Sequence, residues 1–313
     1  MRDSTIEHHV RLLITGDAGF LGRKLKAELM SRGSEVTGCD LLTGGPDLAE
    51  QGSFGRHLDG GMERPDMVLH LAAQPGRLFG QESVENTVRN NVAATIEIAT
   101  TCQEAALRLC YVSTSEVYGS SGSLCDERHA CCPRNVYGLT KLWGEDACRT
   151  LAPGRLLIIR PSMPYGPDQP HGHGRCALTT FIANALQDKE STVHRETARS
   201  WCYVDDLIRG MADVVERGDG VYNVGRDDDM RSTLEVAELA YRICGKVPKI
   251  GVVNPEKSIT PTKVLSMERL RSLGWQPLVD LETGIAMTAE SLSMGAEGAS
   301  LAGRLAAPLA NGT

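Results

Sequence analysis

The apolar positions of this chain come as short runs alternating with amphipathic stretches. Residues 10–15 form a run ending at Gly16 and predict a buried strand. Within 20–31, Leu21, Leu25 and Leu29 recur at helical spacing and predict a helix with one apolar face. Residues 35–40 predict a second strand. The stretch 41–65 is rich in Gly and Pro and weakly patterned, with room for one short strand near 54–58. Runs at 67–73, 109–113 and 156–160 predict further strands. Between them lie a long predicted helix over 83–106 and another from near Asn135 to about Leu151. Strands alternating with helices at this spacing predict an α/β fold with a doubly wound parallel sheet. Beyond Pro161 the pattern becomes irregular. A Pro/Gly/His loop (161–174) precedes a helix near 181–188, and a strand at 221–224 is expected to rejoin the main sheet. Helices near 233–244 and 267–273 fit a smaller lobe on the C-terminal side. The predicted division is 10–160 for the sheet domain and 161–292 for the lobe. Residues 1–9 and the Ala/Gly/Ser-rich 293–313 read as disordered tails.

Composition narrows the function. The chain has 313 residues, 41% of them apolar and 23% charged, with a formal net charge of −7. An acidic protein of this kind is a poor general binder of nucleic acid or anionic membrane. No run of about eighteen apolar residues predicts a membrane span, and no signal peptide precedes the first strand. A cytoplasmic location is expected. The ten cysteines are scattered, and no CxxC pair occurs. They read as buried reduced thiols. His171 and His173 lie in a Gly/Pro loop without neighbouring Cys or acidic ligands, so no metal site is expected.

The turn after the first strand carries specific chemistry. Thr15-Gly16-Asp17-Ala18-Gly19-Phe20-Leu21-Gly22 spaces its glycines as Gly-x-x-Gly-x-x-Gly. Such glycines permit a tight turn, close approach of a pyrophosphate to backbone amides, and close helix–strand packing. The helix N-terminus then faces the phosphates. Asp40 stands eighteen residues after Gly22, at the end of the second strand, placed to accept from both ribose hydroxyls. Residues 41–50 contain no Lys or Arg to meet a 2′-phosphate, which favours NAD over NADP. Asp17 is an unusual acidic insertion, expected to face solvent. Asp59 is either an acceptor for the adenine amino group or an ordinary turn aspartate. Leu71, Ala72 and Ala73 end a strand with the small residues that a cofactor wall needs. Asn91 reads as a buried polar brace rather than a helix-surface residue.

Tyr137 and Lys141 stand one helical turn apart on one helix face. A phenol ionises near pKa ~10, and a nearby cation favours its phenolate. That pair is a general base able to take an alcohol proton while hydride leaves the carbinol carbon. Thr114 supplies a hydroxyl to hold the same oxygen, and Glu116 a carboxylate close by.

These pieces resemble the extended short-chain dehydrogenase/reductase family, specifically its nucleotide-sugar epimerases, dehydratases and decarboxylases. The resemblance runs from residue 11 to about 275, through TGDAGFLG, Asp40, VLHLAA (68–73), NNVAAT (90–95), VSTSEVYG (112–119), NVYGLTKLWGE (135–145), RPSMPYGP (160–167), ARSWCYVDD (198–206), VYNVG (221–225) and LGWQP (273–277). It implies a Rossmann-type sheet domain holding NAD, with Gly16, Gly19, Phe20, Leu21, Gly22, Asp40, Asp59, Leu71, Ala72, Ala73, Asn91, Ser113, Tyr137 and Lys141 around the cofactor. It implies a nucleoside-diphosphate sugar against the smaller lobe, met by Arg199 at its diphosphate or ribose and held at the reacting oxygen by Thr114. Tyr137 would take the proton of a sugar hydroxyl, usually at C4, and Lys141 would bind the nicotinamide ribose. Many relatives dimerise through the helices matching 83–106 and 135–151, so a homodimer is expected.

Two departures stand out. Met163 replaces an Asn that touches substrate in many relatives. The segment between Asp40 and His70 is short, which trims the adenosine-side wall. The loop 168–176 has no clear counterpart. A 4-keto sugar made by oxidation at C4 can be re-reduced on its other face (4-epimerase). It can lose its C5 proton and C6 hydroxide (4,6-dehydratase), or lose CO2 if C6 is a carboxylate (decarboxylase). Glu116 matches the acid that removes the C5 proton in dehydratases, and decarboxylases also carry Thr-Ser-Glu; it can equally be a structural carboxylate. Ser115 stands where one dehydratase class has Asp, which disfavours the thymidine-sugar type and leaves the mannose type open. Epimerisation leads on the family's frequency. A non-catalytic dinucleotide sensor is a remote alternative, disfavoured because Thr114, Tyr137 and Lys141 are all present. A reductase of a non-sugar ketone lacks the basic residue after Asp40 that would support it.

Overall fold

The computed structural model describes residues 10–121 and 124–305, with side chains described as far as 294. Its core is a six-stranded sheet. The strands are β1 (Arg11–Thr15), β2 (Glu35–Cys39), β3 (Met67–His70), β4 (Arg108–Val112), β5 (Leu156–Pro161) and β6 (Gly220–Val224). They lie in the order β6-β5-β4-β3-β1-β2, every pair parallel. Parallel strands need crossovers, and the helices that supply them bury both faces. Leu12, Ile14, Met67, Leu69, Leu157 and Ile159 point into one apolar cluster, while Leu13, Val68, Leu109, Tyr111 and Ile158 point into the other. Strands buried on both sides read as continuous apolar runs, which is why the sequence shows them so clearly.

Helix α1 (Phe20–Ser31) buries Leu25 and Leu29 on the sheet. The segment 54–58 is not a strand. Ser53–Asp59 is helix α2, with Phe54 buried beneath it. Its N-terminal amides, from Gly52 and Phe54, donate to the Glu97 carboxylate at 3.0 and 3.2 Å, a favourable place for a negative charge. No strand lies outside β2 among the described residues, so the sheet ends there on the adenosine side. The helix expected over 83–106 is present as one helical run from Val84 to Glu104, with a π-helical turn inside it. The chain forms α3 (Arg77–Glu82), breaks at Ser83, and continues as α4 (Val84–Val88). A π-helical turn (Arg89–Ala93) then leads into α5 (Ala94–Glu104). The wide turn carries Asn91 into the interior, where it is buried.

Helix α6 (Val136–Leu151) packs on α5. It is tied to β5 by a buried ion pair in which Arg160 donates to both oxygens of Glu145, at 2.8 and 2.6 Å. Arg160 also donates to the Tyr118 hydroxyl, which in turn donates to Asn223 of β6.

After β5 come α7 (Ala177–Leu186), α8 (Val204–Arg217), α9 (Thr233–Ile243), α10 (Glu268–Arg271) and α11 (Leu281–Leu305), with short two-stranded pairings between them. Helix α10 buries Leu270 in the core of the main sheet, not with α7, α9 and α11. Helix α8 packs against α1 over the main sheet. Helices α7, α9 and α11 pack around a separate apolar core that includes Tyr165, Phe181, Ile182, Trp201, Tyr203 and Ile285. Helix α11 carries the chain past Ser293, where the composition predicts fraying. Alanine is the strongest helix former, and that preference holds here. The expected tail 1–9 and residues 306–313 lie outside the described residues.

Candidate functional site

The glycine loop joins β1 to α1 at the C-terminal edge of the sheet. A Cβ on Gly22 would stand 2.1 Å from the Gly16 carbonyl oxygen, so only glycine lets α1 start this close to the turn. Gly19 is the N-cap of α1 and supplies no side-chain cap, and the first turn carries no acid. The leading amides of α1, from Phe20, Leu21 and Gly22, have no acceptor within the helix. An anion fits that arrangement. Asp40 lies beside the loop, its Oδ2 accepting from the Ala18 amide at 3.3 Å and its Oδ1 from the Leu42 amide at 2.9 Å. Its remaining lone pairs can accept from ribose hydroxyls.

Asp17 does not face solvent. Its carboxylate is 12% exposed, accepts from Lys26 of α1 at 2.9 Å and lies over Gly38 of β2. A glycine at 38 leaves the space that an acid at 17 needs. Asp59 ends α2 and is exposed there.

The inner wall is braced by a buried polar relay. Thr15 Oγ1 meets His70 Nδ1 at 2.7 Å, and His70 Nε2 meets Thr95 Oγ1 at 3.1 Å. Burial, with Lys141 adding, pulls His70 down to about 3, so the ring is neutral. Asn91 accepts from the Gln74 amide and donates to the Gln74 carbonyl and to Thr140. Its polar atoms are taken up in holding the chain after Leu71-Ala72-Ala73 against α6.

Thr114 follows Ser113 at the end of β4 and caps a 3₁₀ turn (Ser115–Tyr118) by accepting from the Glu116 amide at 3.2 Å. Ser113 and Ser115 are buried beside it. Asn135 caps α6, accepting from the Gly138 amide at 2.8 Å, and so starts the helix where Tyr137 faces this turn. A Cβ on Gly138 would come within 2.8 Å of the Glu116 carbonyl oxygen, so glycine permits the approach. The Thr114 side chain lies close enough to the Tyr137 phenol to favour its ionised form.

The electrostatics differ from the expectation drawn from spacing. Burial pushes the Tyr137 phenol up to about 12, with Thr114 working the other way. The Lys141 ammonium lies 4.2 Å from the centre of the Tyr111 ring, and burial draws it down to about 7 against the pull of Cys148 and Glu145. Low-dielectric surroundings outweigh the charge pairing that the four-residue spacing suggests.

Glu116 is held by residues that the sequence did not single out. Its Oε1 accepts from Lys263 Nζ at 2.6 Å, and its Oε2 from Asn135 Nδ2 at 2.9 Å and Thr260 Oγ1 at 3.2 Å. Burial alone would raise this carboxyl. Lys263 outweighs it, with Asn135 and Arg199 adding, and brings it down to about 2. Arg199 lies close enough for its charge to act on Glu116, and it donates to the carbonyls of Ala198, Thr260 and Pro261. Two of its five donors remain for another acceptor. Lys263 and Thr260 belong to a stretch without periodicity, and their place shows only in three dimensions.

Met163 has φ of +48°, a left-handed backbone, and its side chain packs on the apolar core around Tyr165 and Phe181. The loop after it reaches back to the sheet domain. Arg23 donates to the Asp168 carbonyl at 3.0 Å, and His173 meets Glu82 at 2.9 Å. No group of side chains suited to a metal ion occurs among the described residues.

A six-stranded parallel sheet, a glycine turn against an uncapped helix start, and a Thr–Tyr hydroxyl pair beside a buried lysine define a dinucleotide-dependent enzyme of the Rossmann class. The model described as the NAD dependent epimerase/dehydratase family matches residues 12–225. The chain belongs to that family, and its cofactor is NAD. One relative is UDP-glucuronic acid decarboxylase 1 of Xenopus tropicalis, 26% identical, covering 89% of this chain and 71% of the relative. Another is UDP-glucuronate 4-epimerase 1 of Arabidopsis thaliana, 24% identical over 88% of this chain and 75% of the relative. Among solved structures, a Thermus thermophilus UDP-glucose 4-epimerase complex with NAD superposes with a TM-score of 0.83 and 25% identity, over 91% of this chain and 99% of that one. A UDP-glucuronic acid 4-epimerase from Bacillus cereus, in complex with UDP-glucuronic acid and NAD, gives 0.78 and 25% with the same coverage.

Proposed function

We propose that the chain is a nucleoside-diphosphate-sugar 4-epimerase working through a transient 4-keto sugar, with a UDP-sugar as the substrate class named by its relatives. When bound, NAD supplies a reversible hydride acceptor, so none is consumed. In this reading Phe20, Leu21 and Gly22 offer amides to the pyrophosphate, Asp40 accepts from the adenosine ribose, and Lys141 meets the nicotinamide ribose. Thr114 holds the sugar oxygen at C4, and Tyr137 takes its proton and later returns it. Arg199 offers its two remaining donors to the diphosphate or ribose. Ser115, buried in the turn after Thr114, packs behind the reacting groups.

The observation that carries epimerisation over dehydration is the state of Glu116. A general base works best with a pKa near the working pH. A carboxylate bonded to Lys263, Asn135 and Thr260 and held near 2 is a poor base for a C5 proton. Decarboxylation needs no such base, and it is the second reading that the relatives named as decarboxylases favour. We also propose a homodimer through the faces of α5 and α6 that expose Ile96 and Trp143.

The test is to incubate the NAD-loaded protein with UDP-glucose and with UDP-glucuronic acid in D2O, and analyse products by NMR and mass spectrometry. A C4 isomer of unchanged mass with no net NADH is expected. Tyr137→Phe should cost roughly 10²–10⁴-fold in turnover. Loss of water or of CO2 as the main course would overturn the epimerase reading, and stoichiometric NADH would point to a simple dehydrogenase.

A further inference from the structure

The contact between Lys263 and Glu116 joins residues 147 positions apart. The Lys263 side chain is 1% exposed and Glu116 21%. A lysine is rarely buried so fully unless it is paired. Its position is fixed by backbone on both sides. Val264–Leu265 pairs with Leu124–Cys125, Thr262 bridges to Ala198, and Arg199 grips the carbonyls of Thr260 and Pro261. The charged and titratable groups around Glu116 are therefore Lys263 from this segment, Arg199 from the lobe and Tyr137 from α6. Asn135 and Thr260 are its neutral donors.

We propose that Lys263 is a positioning residue that pins Glu116 as a spectator carboxylate, so that a 4-keto sugar in the site is returned by hydride instead of losing its C5 proton. This deepens the 4-keto reading above and rests on it. The suppressed step is a simple enolisation. A free Glu116 carboxylate would take the C5 proton, the C5–H electron pair would form a C4=C5 double bond, and the 4-oxygen would become an enolate held by Thr114 and Tyr137. Return of a solvent deuteron would label C5. With Lys263 bonded at 2.6 Å, the oxygen pair that would accept that proton is already shared among three donors.

The experiment uses the full chain with NAD and UDP-glucose in D2O. In wild type, isomer should form without C5 deuterium. In Lys263→Met, similar in length and without charge, the ratio of C5 exchange to epimerisation should rise about tenfold or more, with an acid limb entering the pH profile of exchange. Lys263→Arg should restore the wild-type ratio. Adding Glu116→Gln to Lys263→Met should remove the exchange. Should Lys263→Met fail to fold by circular dichroism, Lys263→Gln replaces it. Equal loss of epimerisation with no rise in the exchange ratio would overturn the proposal, as would wild-type exchange equal to the variant's. An infrared titration of the Glu116 carboxylate, identified by difference against Glu116→Gln, separates the two claims. Absence of any isomer in wild type counts against the epimerase reading alone. Titration of Glu116 at one pH in wild type and Lys263→Met overturns the role of Lys263 whatever the reaction.

Discussion

Asp17 and Gly38 share one space. An acid in the glycine loop is accommodated because β2 offers no side chain opposite it, and because Lys26 reaches across from α1 to neutralise it. A Cβ at 38 would lie 1.7 Å from Asp17 Oδ2. Gly38→Ala must therefore turn the carboxylate away and break its bond to Lys26. A loss of about 1–2 kcal/mol in unfolding free energy is expected by denaturant titration, with weakened NAD binding by calorimetry. In an Asp17→Gly background the same change should cost much less, a coupling of the size that contacting residues show. Tyr137, Lys141 and Thr114 were legible from type and spacing alone, and the structure brings Thr114 close enough to Tyr137 to bear on its ionisation. The depth of burial that governs their ionisation was not, because it depends on what the rest of the chain stacks around them. Lys263 was invisible for the same reason, since nothing local marks it as the partner of Glu116.

At the level of elements, α6 organises the reacting groups. Asn135 begins it and binds Glu116, Gly138 admits the Thr114–Glu116 turn, and Gly144 lies under the Tyr111 hydroxyl. Gly138→Ala pushes the start of the helix off that turn and separates Tyr137 from Thr114. A loss of about 1–3 kcal/mol in thermal or denaturant unfolding is expected. Turnover should fall about 10²-fold, since displacing reacting groups by an ångström costs that much. Elements with strong periodicity, such as α1 and the buried strands, could be drawn from the sequence almost residue by residue. Those set by tertiary contact could not. Helix α2 depends on Glu97 of another helix, and the π turn at Arg89–Ala93 exists to bring Asn91 inward, a demand that no spacing rule over 83–106 expresses.

For the molecule as a whole, no helix among the described residues is long and apolar enough to cross a membrane. The proposed dimer gives the exposed Trp143, 45% accessible, a place to be buried. Trp143→Glu should leave the monomer folded and shift the species seen by light scattering from dimer to monomer; a wild-type monomer would count against the proposed dimer. The sheet itself ends at β2, where the short segment after Asp40 folds as a helix instead of adding a strand. A terminal strand offers a row of backbone donors and acceptors to any other chain, and is where sheets extend into fibrils. Here that row is only five residues long and opens on an exposed Glu35. The trimmed adenosine side thus leaves the protein with a blunt margin that resists growth by edge-to-edge association.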